Sequence, residues 1–235
     1  EKNTYKLFYD EKGKDWVMAA NTKEEQPYYN FYTTSKNRAT TLYRIESNQI
    51  YPELYIKQDN AFKRLSITNP QQDNFKWYKT KLVDYLSADG DSLQGILYMP
   101  ENYDESKKYP MVVYFYERMS DYLNSYQTPR PSYSTISRSF YCSNDYFVFV
   151  PDIAYYDGEP GQSAFNCIIP GVLSVLQDHP FINPKKMALQ GQSWGGYQTA
   201  HLITRSNLFA CGMAGAPVSN MTSAYGGIRW GSGYN

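Results

Sequence analysis

The residues Gly191-Gln192-Ser193-Trp194-Gly195, followed by Gly196, are the part of this sequence whose types and spacing most directly suggest chemistry. A serine between two glycines can occupy a sharp strand-to-helix turn, where a Cβ at either flanking position would collide with backbone. Such a turn pushes the hydroxyl outward, and the helix that follows offers unpaired backbone N–H groups. Ser193 is therefore a candidate nucleophile, and the backbone N–H of Trp194 is a candidate oxyanion donor. The alternative is a glycine-rich turn that the serine merely caps.

A serine nucleophile also needs a base and an acid that orients the base. In hydrolases with this turn, the acid and then a histidine follow the serine along the chain. No Asp or Glu follows Asp178, and the only histidine after Ser193 is His201. We interpret His201, about 12 Å further along the predicted helix, as a packed or solvated residue, and His179 as a loop residue at the opposite sheet edge. The acid and the base are therefore expected outside these 235 residues.

The elements that must position Ser193 follow an α/β pattern from residue 76 onwards. Tyr78–Leu86 and Leu93–Met99 flank Asp89-Gly90-Asp91, which predicts a hairpin. Short apolar runs without alternation predict buried strands of a parallel sheet over Met111–Tyr116, Tyr146–Val150, Lys186–Gln190 and Cys211–Ala216. Helices are predicted over Tyr133–Cys142, Gln162–Gln177 and Tyr197–Ser206, with Pro170-Gly171 kinking or breaking the second. Strands that alternate with helices indicate an α/β layer.

Residues 1–75 have a different pattern, because short runs rich in Tyr, Phe, Ile and Thr alternate with polar turns. This pattern predicts antiparallel strands over Tyr5–Tyr9, Trp16–Ala20, Tyr28–Thr34, Thr40–Glu46, Leu54–Lys57 and Phe62–Thr68. The spacing fits one or two blades of a β-propeller or the edge of a β-sandwich. Asn69–Asp73 is interpreted as the linker to the α/β part.

Composition excludes several classes of protein. Lys and Arg number 23 and Asp and Glu also number 23, so the chain lacks the positive excess typical of nucleic-acid binding. No apolar run approaches the length of a transmembrane helix. The three cysteines are too few and too scattered for a disulfide framework or a metal site. Because the chain starts at Glu1 inside a strand-like stretch, we expect it to be an internal piece of a longer polypeptide.

The segment GQSWGGY at 191–197, with CGMAGAPVSNMTSAYGGIRWG at 211–231, resembles the catalytic domain of the prolyl oligopeptidase family of serine peptidases, in its dipeptidyl-peptidase and acylaminoacyl-peptidase branch. The stretch at 93–117 resembles the family's entry into the hydrolase sheet, and LSITNP at 65–70 resembles the end of a propeller blade. The resemblance implies the last strands of a β-propeller over 1–75 and a truncated α/β-hydrolase domain over 76–235.

The same resemblance implies roles for five residues. Ser193 matches the nucleophile, Trp194 carries one oxyanion N–H, and Tyr116 falls where the family has a second oxyanion donor, a tyrosine hydroxyl. Val218 and Tyr225 match residues that line the pocket for the side chain before the scissile bond. The alternatives are an ordinary strand-end tyrosine at 116 and plain core packing at 218 and 225.

The chain also departs from the family's pattern. Glu117-Arg118-Met119-Ser120 stands where a Gly-Gly-Pro-like turn is usual, and residues 151–161 lack the usual Arg-Gly-rich stretch. We interpret Asp152 and Asp157, which precede the nucleophile, as structural. Glu24-Glu25 is interpreted as a solvated turn rather than as the family's amine-binding pair.

The expected function of the parent protein is hydrolysis of short peptides through an acyl-enzyme, with no metal or organic cofactor. The chain alone is expected to be inactive and to depend on the missing C-terminal part of the same protein. The alternatives are an esterase or lipase of the same fold and a non-catalytic binding module that kept the turn. An exported, periplasmic location is compatible with a Tyr- and Asn-rich peptidase, and neither a nucleic-acid partner nor a membrane span is expected.

Overall fold

The computed structural model describes residues 6–10, 15–19, 27–59, 61–132, 134–227, 231 and 233, with the backbone alone for 6–10 and 15–19. Its strands are β1 (Lys6–Asp10), β2 (Asp15–Ala19), β3 (Tyr28–Thr34), β4 (Thr41–Glu46), β5 (Glu53–Gln58), β6 (Ala61–Arg64), β7 (Tyr78–Leu86), β8 (Ser92–Pro100), β9 (Tyr109–Tyr114), β10 (Phe147–Pro151), β11 (Ile182–Gln192) and β12 (Cys211–Gly215). Its α-helices are α1 (Arg138–Ser143), α2 (Pro160–Asp178), α3 (Trp194–Ile203) and α4 (Met221–Tyr225).

Six strands form the main sheet, in the order β12-β11-β9-β10-β8-β7. The strands β12, β11, β9 and β10 pair in parallel, whereas the β7–β8 hairpin joins β10 in the antiparallel sense. The expected α/β class is confirmed. The hairpin expected around Asp89-Gly90-Asp91 is present, and it adds two antiparallel strands at one edge of the parallel sheet.

The central strands are apolar without alternation because both of their faces are covered. Met111 and Val113 of β9 belong to a cluster on the side of α2 and α3, and Val112 and Tyr114 belong to a second cluster on the side of α1. Every residue of β10 is buried. Neighbouring side chains on a strand point to opposite faces, so each of these strands contributes to two cores.

The helix α2 is continuous from residue 160 to 178, so of the two effects expected of Pro170-Gly171, a kink or a break, the break is wrong. A proline at position 170 cannot donate to the carbonyl of Asn166 four residues earlier. That carbonyl instead accepts a hydrogen bond of 2.8 Å from the backbone N–H of Ala88 in the β7–β8 turn. The bond that the proline removes from the helix is therefore replaced by one that fastens the hairpin to it.

Several predicted boundaries also move, including the following three. The helix predicted from Tyr133 begins at Arg138, and Tyr133 itself lies outside the described residues. β11 is longer than expected, and α3 begins at Trp194 rather than at Tyr197. The strand therefore passes into the helix through a single residue, Ser193.

The strands β3 to β6 form a separate antiparallel sheet in sequential order, and β1 pairs with β2. A four-stranded meander has the form of one propeller blade, although the propeller itself and the division at residue 75 stay predictions. The linker is a short 3₁₀ turn over Pro70–Asn74. The Glu24-Glu25 interpretation lies outside the described residues.

The small sheet is fastened to the large one near the β4–β5 turn. The buried Asn48 donates from its side chain to the carbonyl of Leu123, and its own carbonyl accepts from the Trp77 indole at 2.7 Å. The Trp77 ring stacks on Tyr126, with centroids 5.7 Å apart. Within the described part of the chain, none of the helices combines the length and the apolar character that a membrane crossing requires.

Candidate active site

Ser193 occupies the single position between the end of β11 and the start of α3. Its backbone angles are φ 58° and ψ −111°, a region that residues with a side chain rarely adopt. The backbone N–H of Ser193 donates to the carbonyl of Gly215 at the end of β12, at 2.8 Å. Strained backbone of this kind costs about 1–3 kcal/mol and persists only where surrounding structure enforces it.

The surrounding structure requires the glycines of the motif. A methyl group on Gly191 would collide with the carbonyl group of Gly195, and one on Gly195 would collide with the carbonyl oxygen of Phe115 in the segment after β9. A methyl group on Gly196 would lie 2.6 Å from the carbonyl oxygen of Gly215. The three glycines therefore allow α3 to start against the ends of β9 and β12.

The hydroxyl of Ser193 makes no capping hydrogen bond to α3. The side chain is half-buried, and no hydrogen bond joins its oxygen to any of the described residues. The arrangement therefore does not fit a turn that the serine merely caps. Trp194 is the first residue of α3, so its backbone N–H has no acceptor within the helix and remains available beside Ser193.

Tyr116 lies next to this turn. Its ring carbon Cδ2 is 3.8 Å from the position that a methyl group on Gly195 would occupy. The side chain is 38% exposed, and its hydroxyl forms no hydrogen bond with the described residues. The backbone carbonyl of Tyr116, in contrast, accepts from the Tyr155 hydroxyl at 2.8 Å and from the Gln198 amide at 3.3 Å. The main chain at Tyr116 is therefore held from two sides while its hydroxyl stays free.

The Tyr155 hydroxyl is the centre of a network that sequence reasoning missed. It donates to the carbonyl of Tyr116 and accepts from the Trp194 indole N–H at 3.0 Å and from the Gln198 amide. Burial raises the pKa of Tyr155 well above its usual value, and the two N–H donors only partly offset this effect. The hydroxyl is therefore neutral near pH 7 and can both donate and accept. No local signal predicts this contact, because the partners come from three separate segments.

Asp152 fixes the segment that follows Tyr116. One of its carboxylate oxygens accepts from the backbone N–H groups of Met119 and Ser120, at 2.7 and 2.8 Å, and the other accepts from the Ser120 hydroxyl. The carboxylate is buried at the end of β10. These bonds agree with a structural role for Asp152, and Asp157 lies exposed in the next turn.

Neither histidine lies beside Ser193. His201 packs against α2, where a methyl group on Gly161 would lie 2.5 Å from its Nδ1 atom. Burial, together with the charge of Arg205, lowers the pKa of His201. His179 lies before β11, whereas Ser193 follows it, and its Nδ1 atom is 3.0 Å from the carbonyl oxygen of Val175. The described residues therefore provide no histidine that could act as the base for Ser193.

The two expected pocket residues lie after β12. Val218 is half-buried and closely follows Gly215, whose carbonyl binds Ser193. Tyr225 in α4 is 88% exposed, so the structure does not bring it into a pocket wall. Both assignments stay predictions.

A cleft of about 960 Å³ lies beside the linker. Its walls include Tyr51, Trp77, Tyr126, Tyr141, Gln190 and Met213. Gln190 and Met213 belong to the two strands that end at the Ser193 turn.

Comparison with known proteins is consistent with this geometry. Residues 133–234 match the profile of the prolyl oligopeptidase family. Over these residues, which are fewer than half of the chain, the sequence is similar to that family. The family resemblance inferred from residues 191–231 is therefore confirmed.

Three relatives illustrate the extent of the similarity. The uncharacterized peptidase YuxL of Bacillus subtilis is 20% identical over 91% of this chain and 32% of its own length. A probable dipeptidyl-aminopeptidase B of Ajellomyces dermatitidis is 27% identical over 60% of this chain and 16% of its own. The Pyrococcus horikoshii acylaminoacyl peptidase structure has a TM-score of 0.67 at 19% identity, over 90% of this chain and 34% of its own. The chain spans about a third or less of each relative, and the structural likeness confirms the α/β-hydrolase fold.

Proposed function

We propose that this chain is part of a serine peptidase that hydrolyses short peptides, with Ser193 as the nucleophile. The observation that carries the proposal is the backbone of Ser193, held at φ 58° and ψ −111° with a hydroxyl that does not cap the helix. The prolyl oligopeptidase family match supports the reaction class. The names of the relatives, dipeptidyl-aminopeptidase and acylaminoacyl peptidase, support short peptides as substrates.

In the proposed reaction, the Ser193 oxygen forms a bond to the carbonyl carbon of the scissile peptide, and its proton passes to a base. The carbonyl oxygen becomes an oxyanion that accepts hydrogen bonds from the Trp194 backbone N–H and the Tyr116 hydroxyl. The amine then leaves with a proton, and water hydrolyses the ester on Ser193. The base and its acid would come from sequence outside these 235 residues, because the described residues place neither beside Ser193.

A fluorophosphonate probe, which reacts with activated serines, tests the assignment on the full-length protein that contains this chain. We expect strong labelling that Ser193→Ala abolishes and that the exposed control Ser219→Ala leaves unchanged. Because the nucleophile is lost, kcat on peptide anilides should fall by roughly 10⁴-fold or more in Ser193→Ala. Unchanged labelling of Ser193→Ala would overturn the proposal.

Two further measurements separate the alternatives. Hydrolysis of nitrophenyl esters without any hydrolysis of peptide anilides would identify an esterase instead of a peptidase. The isolated 235-residue chain should label weakly, since an oxyanion site without a base retains only a small residual rate. Robust labelling of the isolated chain, lost in Ser193→Ala, would show that the base lies within it.

A further inference from the structure

The guanidinium of Arg138 is buried without an anionic partner. The residue is 9% exposed, and its Nε atom is buried with no hydrogen-bond acceptor among the described residues. Its Nη1 atom donates to the Gln127 side chain at 3.2 Å, which is a neutral acceptor. No described carboxylate forms an ion pair with it. A buried charge without a counter-charge is costly, so this arrangement suggests a missing ligand.

Two aromatic rings stabilise the charge but do not satisfy its donors. The guanidinium carbon lies 5.2 Å from the centre of the Tyr98 ring and 5.8 Å from that of Tyr114. Contacts with ring faces lower the cost of burying a cation. They supply no oxygen acceptor for the N–H groups, which form a planar fork suited to a carboxylate.

Arg138 lines a cavity of about 250 Å³ whose described wall contains no acidic residue. A second cation, the exposed Arg130, lies on the same wall. The wall also carries hydroxyl donors from Thr128, Ser132, Thr135, Ser137 and Ser139. A cavity with two cations, several hydroxyl groups and no carboxylate favours an anion over a neutral or cationic ligand.

The cavity adjoins the Ser193 turn. Its wall includes Ser132 and Thr135, and the side chain of Ser134 between them packs against Gly215. Gly215 in turn accepts the backbone hydrogen bond of Ser193. On the other side, Tyr114 lines the cavity two residues before Tyr116.

We propose that this cavity is a subsite that binds a carboxylate. The guanidinium of Arg138 is its main partner, and Arg130 contributes a second positive charge. The volume suits one carboxylate-bearing group rather than a whole ligand, for which pockets of about 300–1,000 Å³ are usual. In the proposed peptidase, the carboxylate belongs to the peptide substrate, so the substrate class rests on the proposed function. Binding of the carboxylate itself does not, and it can be measured without hydrolysis.

Calorimetry on the full-length protein that contains this chain, carrying Ser193→Ala, provides the test. Four probes distinguish the possible anions: acetyl-Ala-Glu-Ala-amide, acetyl-Ala-Gln-Ala with a free C-terminus, the fully neutral acetyl-Ala-Gln-Ala-amide, and inorganic phosphate. We expect one of the two carboxylate peptides to bind about ten-fold more tightly than the neutral peptide, the gain of one charged hydrogen-bonded pair. The tighter of the two identifies the side chain or the C-terminus as the source.

Variants link the effect to Arg138. Arg138→Met should abolish the preference for the carboxylate peptide, and Arg138→Lys should lose most of it, because lysine lacks the fork. Arg118→Ala, an exposed arginine outside the cavity wall, is the control and should change nothing. Near-UV circular dichroism checks that each variant is folded. If Arg138→Met fails to fold, the exposed Arg130→Ala should still weaken binding about three-fold.

Two results would overturn the inference. One is equal binding of the charged and neutral peptides, and the other is binding of phosphate alone, which would assign the cavity to a free inorganic anion. Fluorophosphonate labelling of the full-length protein reports on Ser193 independently. Failure of the subsite and failure of the proposed function are therefore distinguishable.

Discussion

At the scale of single residues, the Ser193 turn depends on the absence of side chains at its neighbours. A Cβ on Gly191 would meet the carbonyl of Gly195, and one on Gly195 would meet the carbonyl oxygen of Phe115 after β9, so neither position can accept a Cβ without moving backbone. Backbone cannot move at low cost here, because Ser193 is already bonded to Gly215 of the neighbouring strand.

Gly191→Ala should therefore destabilise the chain by about 2–4 kcal/mol, in the range of severe packing and strain effects. Urea unfolding followed by circular dichroism measures the change. Gly226→Ala is the matched control, because no atom lies within 4 Å of its added methyl group, and it should stay within about 0.5 kcal/mol. Equal effects of the two substitutions would contradict the steric account.

Tyr155 gives a second prediction at this scale. Tyr155→Phe removes the hydroxyl that joins Tyr116, Trp194 and Gln198, and should cost about 1–3 kcal/mol because the fully buried Gln198 loses a partner. In the full-length protein, kcat should fall more than KM rises, since the role proposed for Tyr116 is to bind the oxyanion rather than the bound substrate. The matched control is Tyr156→Phe, whose exposed hydroxyl bonds, among the described residues, to Asp91 alone. An equal loss of kcat in both variants would contradict a positioning role for Tyr155.

At the scale of elements, Glu53 holds the small sheet together. Its buried carboxylate accepts hydrogen bonds from Arg64, Ser66 and Thr68, which connect β5 to β6 and the segment after it. Burial by itself raises the pKa of this carboxyl, but the bonds from Ser66, Thr68 and Arg64 outweigh it and lower the pKa to about 2.

This shift predicts an acid-sensitive sheet. The unfolded chain takes up the proton near the ordinary value of 4.5, whereas the folded chain takes it up near 2. The stabilisation from Glu53 is therefore fully present above pH 4.5 and is lost as the pH falls towards 2. Thermal unfolding followed by tyrosine fluorescence should show Glu53→Gln to be less stable by about 2 kcal/mol at pH 7.

The difference between wild type and Glu53→Gln should narrow below pH 4.5. The exposed Glu105→Gln serves as the control, and its stability should match that of wild type both at pH 7 and below pH 4.5. A difference that stays constant down to pH 2 would show that the charge of Glu53 is not its source.

The helix α2 shows at the same scale how an element can tolerate a residue that normally breaks it. Pro170 removes one bond within the helix, and Ala88 replaces it from another element. Gly171 next to it allows close contact with Tyr85 of β7, because a methyl group there would lie 2.9 Å from the Tyr85 ring. Pro170 and Gly171 thus allow α2 to pack closely against the β7–β8 hairpin.

At the scale of the whole molecule, the main sheet ends in an exposed strand. In the described part of the chain β12 pairs with β11 alone, and its residues Cys211 to Ala214 are exposed. An open apolar edge of this kind is a template for pairing with another chain.

We therefore expect the isolated 235-residue chain to self-associate, as measured by light scattering after size-exclusion chromatography. Met213→Lys, which places a charge on the edge, should reduce the association. Met221→Lys in α4 is the control, because it adds the same charge to an exposed methionine away from the edge. Association that both variants reduce equally would indicate a net-charge effect instead of edge pairing.

The sequence by itself determined the features that arise from neighbouring residues. Short apolar and aromatic runs marked most of the strands, and the glycines around Ser193 marked the turn, because steric exclusion there acts over five residues. The same segment carried the family resemblance. The α/β class followed from the order of these elements.

Only the tertiary structure decided the features that join distant segments. It placed β9 between β10 and β11, continued α2 through Pro170 by means of Ala88, and brought Tyr155 to the carbonyl of Tyr116. It also buried Arg138 beside Tyr98 and Tyr114 without a carboxylate among the described residues. These contacts depend on which surfaces meet when the sheet and helices pack, and a local sequence pattern cannot identify a partner that lies more than twenty residues away.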